Sequence, residues 1–98
     1  MYSMENLLML VSTERAVALK LQVGLPPVIV LENENHALEG PPITPEEVEE
    51  LLRSIANTRH MRELRENGDV VFIYKFQGSS PFLVRAKLQN GYVGFEIL

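Results

Sequence analysis

The sequence contains no cysteine. That single absence excludes a disulfide framework, a cysteine–zinc site and a thiol nucleophile, and it fits a reducing compartment. Positive charge is also short: 9 lysines and arginines stand against 13 aspartates and glutamates, a net charge of −4. Phosphate backbones are bound by a concentrated positive field, so no nucleic-acid partner is expected. No apolar run approaches the length that spans a bilayer. The N-terminal stretch MYSMENLLMLVSTER lacks the basic start and the apolar length of a signal peptide. The expected location is cytoplasmic, without membrane insertion.

The chemistry-bearing motifs are missing as well. Glycines stand at 24, 40, 68, 78, 91 and 94, and none opens the phosphate cradle GxxxxGK[ST] or the dinucleotide fingerprint GxGxxG. The two histidines, His36 and His60, are not spaced as ligands on one helix, and no carboxylate pair gives either a metal motif. Ser79 and Ser80 have no base placed beside them and read as loop. The expectation is a non-enzymatic chain without cofactor or metal, acting by binding.

What is present suits one small domain over residues 1–98, ordinary for a globular protein at 46% hydrophobic and 22% charged. Met4, Leu7, Leu8 and Val11 fall at i, i+3, i+4 and i+7, a helical stripe with Ser3 as N-cap and Met1 to Ser3 as a frayed leader. Val17, Leu19, Leu21 and Val23 alternate with Ala18, Lys20 and Gln22, which predicts a half-buried strand. Gly24-Leu25-Pro26-Pro27 ends it in a turn or stiff crossing. The apolar run 28–31 predicts a strand covered on both faces, followed by a polar hairpin tip at 32–35 and a short return at 36–38.

After Gly40-Pro41-Pro42, Thr44, Pro45 and Glu47 form a capping-box start, with Val48, Leu51, Leu52 and Ile55 as the apolar stripe. Glu46, Glu47, Glu49 and Glu50 favour the positive end of that helix dipole, which accounts for them without a cation. Thr58 is the expected cap of a second short helix carrying Met61 and Leu64, stopped at Asn67-Gly68. Strands are predicted over 69–77, 82–89 and 92–98, with Asn90-Gly91 as a hairpin turn and Gly78-Ser79-Ser80-Pro81 as the other connection. The order implies an α+β fold, a mostly antiparallel sheet with helices packed on one face. Arg59, His60, Arg62 and Arg65, with Arg53 a turn or two earlier, give a local basic patch diluted by Glu63 and Glu66.

The segment 16–30, AVALKLQVGLPPVIV, resembles the N-terminal domain of the twitching-motility retraction ATPases of type IV pili and their type II secretion relatives. The family pattern S-D-L-H-L-x-x-G-L-P-P-x-x-R is matched at Leu19, Leu21, Gly24, Leu25, Pro26 and Pro27. The resemblance continues in order through the first helix, the acidic second helix, Asp69 and Phe72, Arg85, and Phe95. Ala18 and Lys20 replace the family's acid and histidine, and Glu96 stands where an arginine is usual. The motor domain with its phosphate loop is absent from these 98 residues. The resemblance implies a PAS-like two-layer sandwich that packs against a neighbouring subunit's motor domain in a hexamer. It leaves two origins, a piece of a longer ATPase or a free-standing relative without the motor, and the changes at 18, 20 and 96 favour the second.

The expected function is a non-catalytic protein–protein interaction module in pilus or secretion assembly or regulation. Its expected partner is such an ATPase or a second copy, the latter through the edge of the final hairpin or the proline-rich turn. The expected surface comprises Leu25, Pro26, Pro27, Arg59, Arg62, Arg65 and Arg85. The alternative is a small-molecule sensor with Phe72, Tyr74, Phe76, Phe82 and Tyr92 around a pocket. The purified chain is expected to hydrolyse no ATP above the buffer blank in a phosphate-release assay. Turnover abolished by a point substitution in the chain would contradict that.

Overall fold

The helical and alternating spacings become helices and strands in the computed structural model, which describes residues 2–78 and 81–98. Among these residues the order is α1 (Met4–Glu14), β1 (Ala18–Leu21), β2 (Val28–Val30), β3 (Asn35–Ala37), α2 (Pro45–Arg53), α3 (Thr58–Asn67), β4 (Asp69–Tyr74), β5 (Phe82–Gln89) and β6 (Tyr92–Ile97). The strands form one six-stranded sheet in the order β3-β2-β1-β6-β5-β4. Each neighbouring pair is antiparallel. The fold is α+β, as the order of elements predicts.

The sheet joins the two ends of the chain at β1 and β6, where Leu19 faces Ile97 and Leu21 faces Phe95. Successive strand side chains point to opposite faces, so register alone decides what is buried. One row runs Phe72, Val84, Ile97, Leu19 and Ile29 across five strands. All five are buried, and Val84, Ile97 and Leu19 are fully so. α2 packs on β6, and α3 on β4 and β5. Leu8 of α1, Val48 and Leu52 of α2 and Leu64 of α3 complete the core from above.

Local chemistry fixes the helix ends. Thr44 Oγ1 accepts from the Glu47 N–H and Glu47 Oε1 accepts from the Thr44 N–H, both at 3.2 Å, which is the predicted capping box. The cap of α3 is Asn57 rather than Thr58: Asn57 Oδ1 accepts from the His60 N–H at 2.8 Å, and His60 Nδ1 accepts from the Asn57 N–H at 3.2 Å. An imidazole takes the place usually held by Glu or Gln, so the motif is hidden from a reading tuned to carboxylates. The same ring stacks on Phe72, with centroids 4.0 Å apart and planes 8° from parallel, and ties α3 to β4. α3 ends at Gly68, whose φ of 83° belongs to the left-handed region where a Cβ is disfavoured.

Several expectations are revised. The run 28–31 is covered on one face only: Ile29 is buried, whereas Val28 and Val30 are half-buried, because the helices occupy a single side. Val17 does not join Leu19 and Leu21 inside, since it precedes β1 and lies 55% exposed. β4 stops at Tyr74, although Phe76 keeps the alternation and is buried. The leader is not frayed at Tyr2 and Ser3. The Tyr2 hydroxyl donates to the Pro41 carbonyl at 2.7 Å, and Ser3 caps α1. Gly40 lies beneath that hydroxyl, at φ 143°, where a Cβ would collide with it. Met1, Ser79 and Ser80 lie outside the described residues, and with them part of the predicted connection and both loop serines. The final hairpin offers no free edge, because β6 is paired on its other side by β1 and β5 by β4.

Leu52→Ala is expected to cost about 2–5 kcal/mol, since the side chain is fully buried and its cavity is enclosed by a close-packed core. Asn57→Ala is expected to cost about 1 kcal/mol through loss of the cap. Urea unfolding with an unchanged m-value checks both.

Candidate functional site

The alternation that fills the core also determines the opposite face of the sheet, which no helix covers. Reading across the strands, Ile73 faces Leu83, and Leu83 exchanges backbone hydrogen bonds with Leu98 at 2.8 and 3.1 Å. Continuing the register brings Leu98 beside Ala18, which faces Val30. This is an apolar row across five of the six strands, with Ile73 60% exposed at its β4 end and Ala18 buried within it, and it gives way to Asn35 on β3.

The neighbouring row is ionic. Val71 faces Arg85, Arg85 faces Glu96, Glu96 faces Lys20 and Lys20 faces Val28. Arg85 Nη1 donates to Glu96 Oε1 at 3.5 Å, a partly exposed pair. The two substitutions noted at Lys20 and Glu96 relative to the resembling family are therefore cross-strand neighbours. A carboxylate lies between two cations, and the row carries one net positive charge.

The third row contains a gap. Gly94 lies opposite Lys87, and a Cβ placed on it would meet only Leu21 and Gln22 atoms at 3.7 and 3.8 Å, an ordinary contact distance. The missing side chain opens a depression of about 510 Å³, with Lys20, Arg85 and Lys87 on its walls and Tyr92 on its rim. The face thus combines an apolar row, a charged row and a shallow depression lined by three cations and Glu96.

The predicted surface residues do not converge. Arg85 is on this outer sheet face, whereas Arg59, Arg62 and Arg65 belong to α3 on the opposite layer and are exposed. Arg62 and Arg65 do gather with Arg53 around a second depression of about 470 Å³ that also holds Glu66. Leu25 is exposed and Pro26 half-buried, but Pro27 is fully buried and presents nothing to a partner. The turn is clamped from both sides: the Ile43 N–H donates to the Leu25 carbonyl, and the Leu38 N–H donates to the Pro27 carbonyl, each at 2.9 Å. The five aromatics of the sensor reading are divided too. Phe72 and Phe76 are buried in the core, while Tyr92 stands on the outer face, so the five do not line one pocket.

Missed in the sequence were Lys87, Gly94, Leu83 and Leu98. Their significance depends on which strands are adjacent, and strand order is not visible in local spacing. Among the described residues, no helix is long and apolar enough to cross a membrane.

No family model matches the sequence, and no curated protein matches it. Solved structures do share its fold. The crystal structure of the pilus retraction motor PilT with bound ADP superposes with a TM-score of 0.89 at 24% identity, covering 99% of this chain and 29% of that one. The ATPase DotB of Legionella pneumophila gives 0.76 at 18% identity, over 98% of this chain and 28% of that one. DotB of Yersinia pseudotuberculosis gives 0.67 at 14%, over 95% and 28%. The likeness read from the Gly-Leu-Pro-Pro segment thus holds at the level of the fold, and this chain spans less than a third of each of those proteins.

Arg85→Ala is expected to lower stability by less than about 1 kcal/mol, since the pair it breaks is solvent-accessible. Chemical denaturation checks this, and a small value makes the position a clean probe of binding.

Proposed function

We propose that this chain is a non-catalytic docking module of a bacterial type IV pilus or secretion ATPase system, working in the cytoplasm, and that it docks through the outer face of its sheet. The observation that carries the proposal is the uncovered face itself, where an apolar row from Ile73 to Val30 lies beside the Arg85–Glu96–Lys20 row. A sheet of this kind normally hides such a row, and exposed apolar area beside organised charge marks a contact surface.

Two further features support the reading. The fold is shared with roughly 29% of a pilus retraction motor. The Lys20 and Glu96 departures are cross-strand neighbours of opposite charge, as expected if this face recognises a surface of its own rather than the one used by the resembling family.

The test is calorimetric titration of the chain with the motor domain of a pilus retraction ATPase. The wild-type chain is expected to bind, and Gly94→Leu and Arg85→Glu are each expected to weaken binding at least tenfold, about 1.4 kcal/mol. Arg62→Glu on the helical layer is expected to leave it unchanged. Absence of binding by the wild type, or loss confined to Arg62→Glu, would contradict the proposal.

A further inference from the structure

We infer that β4 is a self-complementary edge through which two copies of this chain join their sheets. The inference rests on the edge strand and is independent of the docking role of the outer face.

The sheet ends at β3 on one side and β4 on the other. β3 has three residues, Asn35, His36 and Ala37, all exposed; a strand so short offers little to a further strand. β4 has six, rich in β-branched and aromatic side chains, and contains no proline. It has none of the usual devices that blunt an edge along its centre.

Its backbone polarity follows from one hydrogen bond. The Leu88 N–H donates to the Gly68 carbonyl at 2.8 Å, in a register where Asp69 faces Lys87. In an antiparallel ladder the bonded positions alternate, so residues 70, 72 and 74 turn their backbone groups toward β5. The N–H and C=O groups of Asp69, Val71 and Ile73 point away from the sheet. α3 packs on β4, whose inward side chains Val70 and Phe72 are buried. Unpaired groups in a row are a template for another strand.

The side chains select the partner. Antiparallel pairing of β4 with a second β4, centred on Phe72, sets Val71 opposite Ile73 twice and Asp69 opposite Lys75 twice. All four side chains are exposed; Asp69, Val71 and Ile73 alternate outward along β4, and Lys75 follows directly on its end. Val71 and Ile73 are also positions whose backbone points outward, so the pairs matched by side chain are those that exchange hydrogen bonds. Sliding the register by one residue opposes outward to inward side chains. Sliding it by two sets Asp69 against Ile73, or Lys75 against Val71, and leaves a charge facing an apolar group. One register alone satisfies backbone, apolar contact and charge together, and its occupant is a second copy.

Light scattering of the purified chain over a concentration series tests this. The mass is expected to rise toward twice the 11.1 kDa of one chain. Asp69→Lys and Lys75→Asp should each weaken self-association roughly tenfold, because each makes both cross-strand pairs repulsive. The double swap, Asp69→Lys with Lys75→Asp, should recover it. An equimolar mixture of the two single variants should also recover it, since their ends are then complementary. A chain that stays at one-chain mass at every concentration overturns the inference and leaves the edge to a foreign strand. A dimer that both single swaps leave equally tight, with circular dichroism showing intact fold, overturns it as well.

Discussion

The structure depends on the contact between β1 and β6. Until the first third of the chain meets the last, neither group of strands has a sheet wide enough to support the helices. Leu19 against Ile97 and Leu21 against Phe95 place the most buried apolar row at the centre of the sheet, beneath the helices. Burial of such side chains is worth about 1.5–3 kcal/mol each, so this seam is where register is most strongly specified. Once it is set, the outward residues have no freedom: Lys20 must stand beside Glu96, and Gly94 must leave its gap between Lys87 and Gln22.

A sheet with helices on one side buries only half of its side chains by its own packing. Polar residues usually fill the remaining half. Here that face is mixed. Ile73, Leu83 and Leu98 share it with Arg85, Glu96 and Lys20, and their arrangement in rows comes from strand adjacency rather than from any local run of sequence. The function proposed for this face and the association inferred for β4 both follow from the same asymmetry, one from the face and the other from the rim.

Local signals were legible in proportion to how local their physics is. The helix stripes, the Thr44 capping box, the Gly68 stop and the Asn90-Gly91 turn all depend on residues within a few positions of one another, and they lie where the spacing puts them, except that Ile55 is buried just beyond α2, which ends at Arg53. The cap at Asn57 was concealed because its third helical position is a histidine. The proposed surface was less legible. Arg59, Arg62, Arg65 and Arg85 look alike in sequence, yet the sheet lies between the first three and the last. Pro27, part of the segment that carries the resemblance, serves the core rather than the surface. Lys20 and Glu96 read as two unrelated changes until the β1–β6 register made them neighbours.

The central claim is that the uncovered face of the sheet is the working surface. It is tested most directly by methyl nuclear magnetic resonance of the chain during titration with a pilus retraction motor domain. The account predicts that methyl signals of Ile73, Leu83, Leu98 and Val30 shift together while those of Leu52 and Leu64 in the core and Met61 on α3 hold still. Shifts confined to α3, with the four outward methyl-bearing residues unmoved, would contradict it.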